Sequence, residues 1–177
     1  MHVDSLTQLK KELTTRPPGE LLRICLAMAK LKAENKAMLA YLLFEAHDPL
    51  AYAGQTKREM DTLLEAMPRN QPGSMKVLRK ASQLITQYNR FTKSKQGELE
   101  LLLHFTGRYL ERVSPESRHA PLLGLAFRAL RKARGLVGKL HEDLQYDYAK
   151  EYNQQVQAVH ATMRHWDHHR FPLPTLA

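Results

Sequence analysis

One cysteine, Cys25, stands in the whole 177-residue chain. That excludes an internal disulfide and any cysteine-rich metal site, and it suits a reducing compartment. Strand signals are nearly missing as well. No sustained period-two alternation and no Asn-Gly or Asp-Gly hairpin turn occurs, and Leu, Ala, Lys, Glu, Gln and Arg outweigh the β-branched residues. The longest apolar run, AMLAYLLF from Ala37 to Phe44, falls far short of the roughly 20 residues that a membrane span needs. The opening MHVDSLTQLKKEL carries acids and no apolar stretch, which does not read as a secretory signal. A soluble, cytoplasmic protein with no membrane contact is expected. Glycine-rich phosphate loops, the dinucleotide fingerprint, the nucleophile elbow and the HExxH zinc motif are also absent. Nothing in the chain supports enzymatic activity, and no catalytic residue, metal ligand or cofactor is assigned.

What is present is helical pattern with clear punctuation. An apolar fraction of 43% with 25% charged residues is that of a folded domain rather than a disordered chain. Ser5 with Gln8 makes a capping box. Arg16 to Glu20 (RPPGE) ends one helix and opens the next, and Asp48-Pro49 and Ser114-Pro115 each read as an N-cap followed by proline. The pattern predicts helices at 4–14, 19–33, 35–46, 49–67, 74–93, 97–113, 120–141 and 143–166, with 19–46 open to being one helix or two. The expected fold is all-α: an antiparallel multi-helix bundle or a short irregular stack of helical hairpins, with about seven or eight helices. A single domain is expected over 1–170, with a hinge candidate in the Pro- and Gly-bearing loop at 67–74 and a flexible tail at 171–177. Cys25, in LLRICLAMAK, is expected to be a small buried hydrophobe.

Two stretches, Leu26 to Ala46 (LAMAKLKAENKAMLAYLLFEA) and Lys139 to Tyr152 (KLHEDLQYDYAKEY), resemble a group of small, all-helical bacterial proteins of uncharacterised function. That resemblance implies helical structure and nothing about activity.

Charge is the least even property of the chain. From Pro68 to Gly97 there are seven Lys or Arg and no acid; from Arg118 to Leu140 there are six and again no acid. The remainder holds 14 basic against 18 acidic residues, so these two segments carry the whole net charge of +9. At about 100° per residue, Val77, Leu78, Ala81, Leu84, Ile85, Tyr88 and Phe91 share one face of the first helix. Lys76, Arg79, Lys80 and Arg90 lie opposite. In the second, AFRALRKARGLVGKL (Ala126 to Leu140), an apolar stripe is backed by Arg128, Arg131, Lys132, Arg134 and Lys139. A solvated polar back is the simpler account of such a face, but it does not explain the lack of any acid, since like charges at i, i+4 repel. Phe127 beside Arg131 and Arg134 would suit base stacking or helix packing. Gly124, Gly135 and Gly138 on the same face would suit close approach of a phosphate backbone or of a neighbouring helix.

Two clusters bear on chemistry. In HATMRHWDHH (His160 to His169), His165 and His169 at i, i+4 would share a helix face with His168 near, although a zinc site needs further ligands; a polar helix end is the plainer reading. In HEDLQYDY, Asp143 and Asp147 share a face, but Glu142 and Asp143 also suit the N-terminus of the last helix through its dipole. A metal-dependent enzyme would require His141 or the Asp143 and Asp147 pair to line a pocket. The first functional reading is therefore a non-catalytic helical module that binds nucleic acid or another polyanion through phosphate contacts. Its candidate residues are Lys76, Arg79, Lys80, Arg90, Arg128, Arg131, Lys132 and Arg134, and no base-reading motif accompanies them. The alternative is a protein-interaction scaffold of helical-hairpin type, working through an apolar groove or an acidic partner protein. Neither reading fixes an oligomeric state.

Overall fold

Caps and packing together account for the helices. The computed structural model describes residues 4–68 and 71–177; Arg69 and Asn70, in the expected hinge, lie outside the described residues. Among the described residues there are eight helices and no strand, an all-α multi-helix arrangement. The chain forms two compact units, 1–47 and 48–177, rather than the single domain expected over 1–170. No helix among the described residues is long and apolar enough to cross a membrane.

Unit 1 contains α1 (Leu6–Thr14), α2 (Pro18–Leu31), α3 (Ala33–Ala40) and a π-helical turn at Tyr41–Glu45. Ser5 caps α1 by accepting from the Gln8 amide at 3.3 Å, as its spacing predicts. The stretch 19–46 is interrupted at Lys32, whose backbone is extended (φ −147°, ψ 144°), and Asn35 donates across the break to the Met28 carbonyl at 2.9 Å. Within α1, α2 and α3 no residue is buried. Cys25 is accordingly exposed. The expectation of a core cysteine fails because α2 packs on α3 without burying any of its residues.

Unit 2 contains α4 (Pro49–Glu65), α5 (Gln71–Thr92), α6 (Lys95–Arg112), α7 (Ala120–Val137) and α8 (Glu142–Thr162). Asp48 Oδ1 accepts from the Leu50 and Ala51 amides at 3.0 and 2.9 Å, with Pro49 at the first helical position. Helix α6 is the centre: α4, α5, α7 and α8 all pack on it, and most of its length from Gly97 to Tyr109 is buried. The core is built from the expected stripes, including Leu78, Ala81, Ile85 and Tyr88 of α5 and Ala126, Leu130 and Ala133 of α7.

Three boundaries differ from the sequence reading. Ser114-Pro115 opens no helix; Ser114 Oγ accepts from the Glu116 amide at 3.3 Å in a tight turn, and α7 begins later, with His119 at its N-cap and Pro121 in the first turn. Helix α8 stops at Thr162, because the chain turns back there to seal the bundle with Met163 and Trp166, both buried. The expected flexible tail at 171–177 is instead tied down. Phe171 and Leu173 are buried, Tyr152 donates to the Pro174 carbonyl at 3.1 Å, and Asn153 bonds Leu176 through both its amide oxygen and its nitrogen. Pro172 and Pro174 hold the backbone extended, so that alternate residues turn inward.

Candidate functional site

The two basic helices lie beside each other over α6. A narrow groove of about 170 Å³ is lined by Ser82, Ile85 and Thr86 of α5, Leu102 and Phe105 of α6, and Arg128 and Lys132 of α7. Toward the start of α5 a wider hollow of about 670 Å³ gathers Lys76, Arg79, Lys80 and Gln83 with His119 at the N-cap of α7. Arg90 continues the α5 row, four residues beyond Thr86. All eight candidate cations are exposed. The buried stripes of α5 and α7 dictate this arrangement: each docks on α6, and each polar back is turned outward.

Not every cation on that surface is free. Glu98, in the first turn of α6, is almost wholly buried, its side chain 4% exposed, and its Oε1 lies 2.5 Å from Lys132 Nζ. The α7 face is therefore not purely cationic: Lys132 neutralises a carboxylate from another helix. Arg131 stands over the Phe127 ring at 5.5 Å, and Phe127 packs on Phe171 with ring centroids 5.4 Å apart. Phe127 is thus a packing residue, half-buried against the C-terminal segment. Burial raises the pKa of the Tyr152 hydroxyl, and the nearby Arg134 charge partly offsets that rise, which puts Arg134 on the α8 flank of α7. Gly124 is buried against Phe171, whereas Gly135 and Gly138 face open space. Lys76, Arg79, Lys80 and Arg128 form no ion pair among the described residues.

The clusters named for metal or acid-base chemistry are dispersed. With α8 ending at Thr162, His165 and His169 are not on one helical face; His165 lies 3.4 Å from Glu116, and His168 stacks edge-on against His160 with centroids 4.5 Å apart. Burial, and secondly the His168 charge, lower the His160 pKa. Among the described residues no three His, Cys, Asp or Glu converge on a metal position. Asp143 and Asp147 are exposed, and Asp143 sits in the first turn of α8 beside His141, 3.1 Å away.

A polar network between α4, α6 and α8 escaped the sequence reading. Lys57 Nζ lies 2.7 Å from Glu100, which also accepts from Tyr148 at 2.8 Å. Asp61 is held by His104 at 2.8 Å and Arg108 at 2.9 Å, and Arg108 also pairs with Glu111. Burial alone would raise the Glu100 pKa, but hydrogen bonds from Lys57, Tyr148 and Gln96, with the Lys57 charge, hold it below the ordinary value. Burial and the Glu100 bond push the Tyr148 hydroxyl up to about 12. Burial raises the Glu151 pKa, with Lys57 opposing and Glu100 adding to the rise. The signal was there to read: Lys57, Asp61 and Glu65 at i, i+4, i+8 on α4 are complementary in charge to Glu100, His104 and Arg108 at the same spacing on α6. Each cation of this network already has a carboxylate, so it joins helices and offers nothing to an anion.

Comparison of the chain with protein-family models, with curated proteins and with solved structures returned no match. The fold and the surfaces of the chain itself therefore carry the functional argument.

Proposed function

We propose that this chain is a non-catalytic helical module that binds nucleic acid or another polyanion, using the adjacent cationic faces of α5 and α7. One observation carries the reading: Ser82 and Thr86 of α5 line the same groove as Arg128 and Lys132 of α7, so the two basic helices lie side by side, with Lys132 alone of these held by a carboxylate, Glu98. Exposed like charges in one place raise the local potential and favour a ligand that carries many negative charges at regular intervals. Arg and Lys at phosphates release counterions, which gives affinity and salt dependence without reading bases. The Ser82 hydroxyl adds a neutral donor to phosphate oxygens, while that of Thr86 already donates to the Ser82 carbonyl at 3.2 Å.

The test is anisotropy titration of labelled single- and double-stranded DNA and RNA at about 50 and 200 mM salt. If Lys76, Arg79, Lys80, Arg128, Arg131 and Arg134 each neutralise a phosphate, duplex affinity falls on the order of 10³-fold over that range. Changing Arg79, Arg128, Arg131 and Arg134 to Gln removes most of that slope. Lys132 is left unchanged in the variant because Glu98 needs it. Equal, weak binding by wild type and variant at both salts refutes the proposal. A second reading, the protein-interaction scaffold, is favoured by a separate observation, the exposed apolar surface of unit 1.

A further inference from the structure

Unit 1 keeps its apolar side chains in the open. Of the large apolar residues that are exposed among those described, all but Leu50 and Tyr146 belong to α1, α2 and the π-helical turn, at 36–85% exposure. Helices of nine, 14 and eight residues are marginal in water by themselves, and an apolar surface of this extent on a folded chain marks a contact site. The surface is also shaped. Helices α2 and α3 pack on each other and leave an open groove of about 600 Å³, with Leu26, Leu39, Leu43 and Phe44 along it and Ala29 and Ala40 between them. The small residues let a partner backbone come close. The π-helical turn, a feature that recurs at functional sites, supplies Leu43 and Phe44.

Charge chooses the occupant. The groove is edged by Lys30, Lys32 and Lys36 and lined by no acid. A second copy would bring the same three ammonium groups to the same groove in a chain of net charge +9, and self-association works against both. A helix with Leu-type anchors at i, i+3, i+4 and i+7 and carboxylates beside them matches the floor and the rim together. We infer that the α2–α3 groove docks an acidic amphipathic helix of a partner protein. The inference shares no residue with the polyanion surface; it rests on the interaction-scaffold reading and gives it a partner chemistry.

The experiment uses the full chain and a fluorescein-labelled helical peptide of about 18 residues, built from Leu, Ala and Glu with Leu at those anchor positions. Controls are the same peptide with Lys for Glu and one of the same composition in scrambled order. The expected result is that the acidic peptide binds in preference to both controls. Lys30→Glu, Lys32→Glu and Lys36→Glu together should weaken it at least about ten-fold, with the far-UV circular dichroism unchanged because all three side chains are exposed. Equal binding of the Lys peptide or the scrambled peptide overturns the inference. Sedimentation that gives a dimer dissociated by Leu43→Glu also overturns it, assigning the groove to a second copy and leaving the scaffold reading in place. A monomer that binds none of the peptides overturns both.

Discussion

Lys132→Gln separates a cation the fold uses from cations left for a ligand. The Glu98 carboxylate it serves is 4% exposed and lies 2.5 Å from the ammonium, whose own side chain is 50% exposed. Removing one partner of a fully buried pair costs about 3–5 kcal/mol, because a charge is left without compensation. Here the half-exposed lysine marks the pair as lying at the edge of the bundle, where water reaches the vacated position and screening lowers the cost. About 1.5–3 kcal/mol is the expected loss. Arg128→Gln, four residues earlier on the same exposed row, should stay within about 0.5 kcal/mol. Urea unfolding, followed by circular dichroism and by the fluorescence of the single tryptophan, Trp166, reads both. With a slope of about 2 kcal/mol per molar urea, the Lys132→Gln midpoint drops by roughly 1 M and that of Arg128→Gln hardly moves. Glu98→Gln combined with Lys132→Gln should recover part of the loss, since no charge is then stranded. Equal small shifts for the two single variants would refute the reasoning and return Lys132 to the binding set.

Four further outcomes follow from the packing. Gly97→Ala should destabilise by about 2–4 kcal/mol, although alanine is the better helix former. Its methyl would fall on the Tyr88 hydroxyl, 2.6 Å from Cζ, and displace a ring that stacks on Tyr52 and donates to the Pro49 carbonyl. Gly135→Ala, with nothing near, should stabilise by about 0.5–1 kcal/mol in the same assay. Deleting 171–177 removes the buried Phe171 and Leu173 and the carbonyl that accepts from the Trp166 indole at 3.0 Å; a loss of about 2–3 kcal/mol and a red shift of Trp166 emission are expected. His160 titrates below its ordinary value of 6.5, so the folded chain binds fewer protons there than the unfolded one. Its contribution to stability is full above about pH 6.5 and is lost as pH falls through the lowered value. The drop in urea midpoint between about pH 7.5 and 5.5 should shrink in His160→Phe.

How far the sequence could be read depended on whether the information was local. Helix ends at Pro49, Thr92, Arg112 and Ala120 came within a residue or two because caps and prolines act on their own turn of backbone. Two prolines by themselves point to a loose tail at 171–177. Phe171 and Leu173 alternate with prolines and are buried, and Leu176 is half-buried, so the same prolines that forbid a helix favour an extended, docked segment. In unit 1 the apolar periodicity forms helices, yet no residue of α1, α2 or α3 is buried, because periodicity shows which face is apolar and not whether anything covers it.

Charge pattern has the same limit, and it decides what the candidate surface is worth. Periodicity tells which side of α7 is polar; it cannot tell that Glu98 of α6 comes up beneath Lys132. On α4 and α6 the complementary ladders meet, and Lys57, His104 and Arg108 are consumed by Glu100, Asp61 and Glu111. On α5 and α7, Glu98 reaches Lys132, whereas Lys76, Arg79, Lys80 and Arg128 face no carboxylate among the described residues. A cationic side chain that already faces a carboxylate gains little by meeting a phosphate, because it exchanges one anion for another. Lys76, Arg79, Lys80 and Arg128 make no such exchange, and that difference, rather than the number of basic residues, separates this face from the ion-paired network that joins α4, α6 and α8.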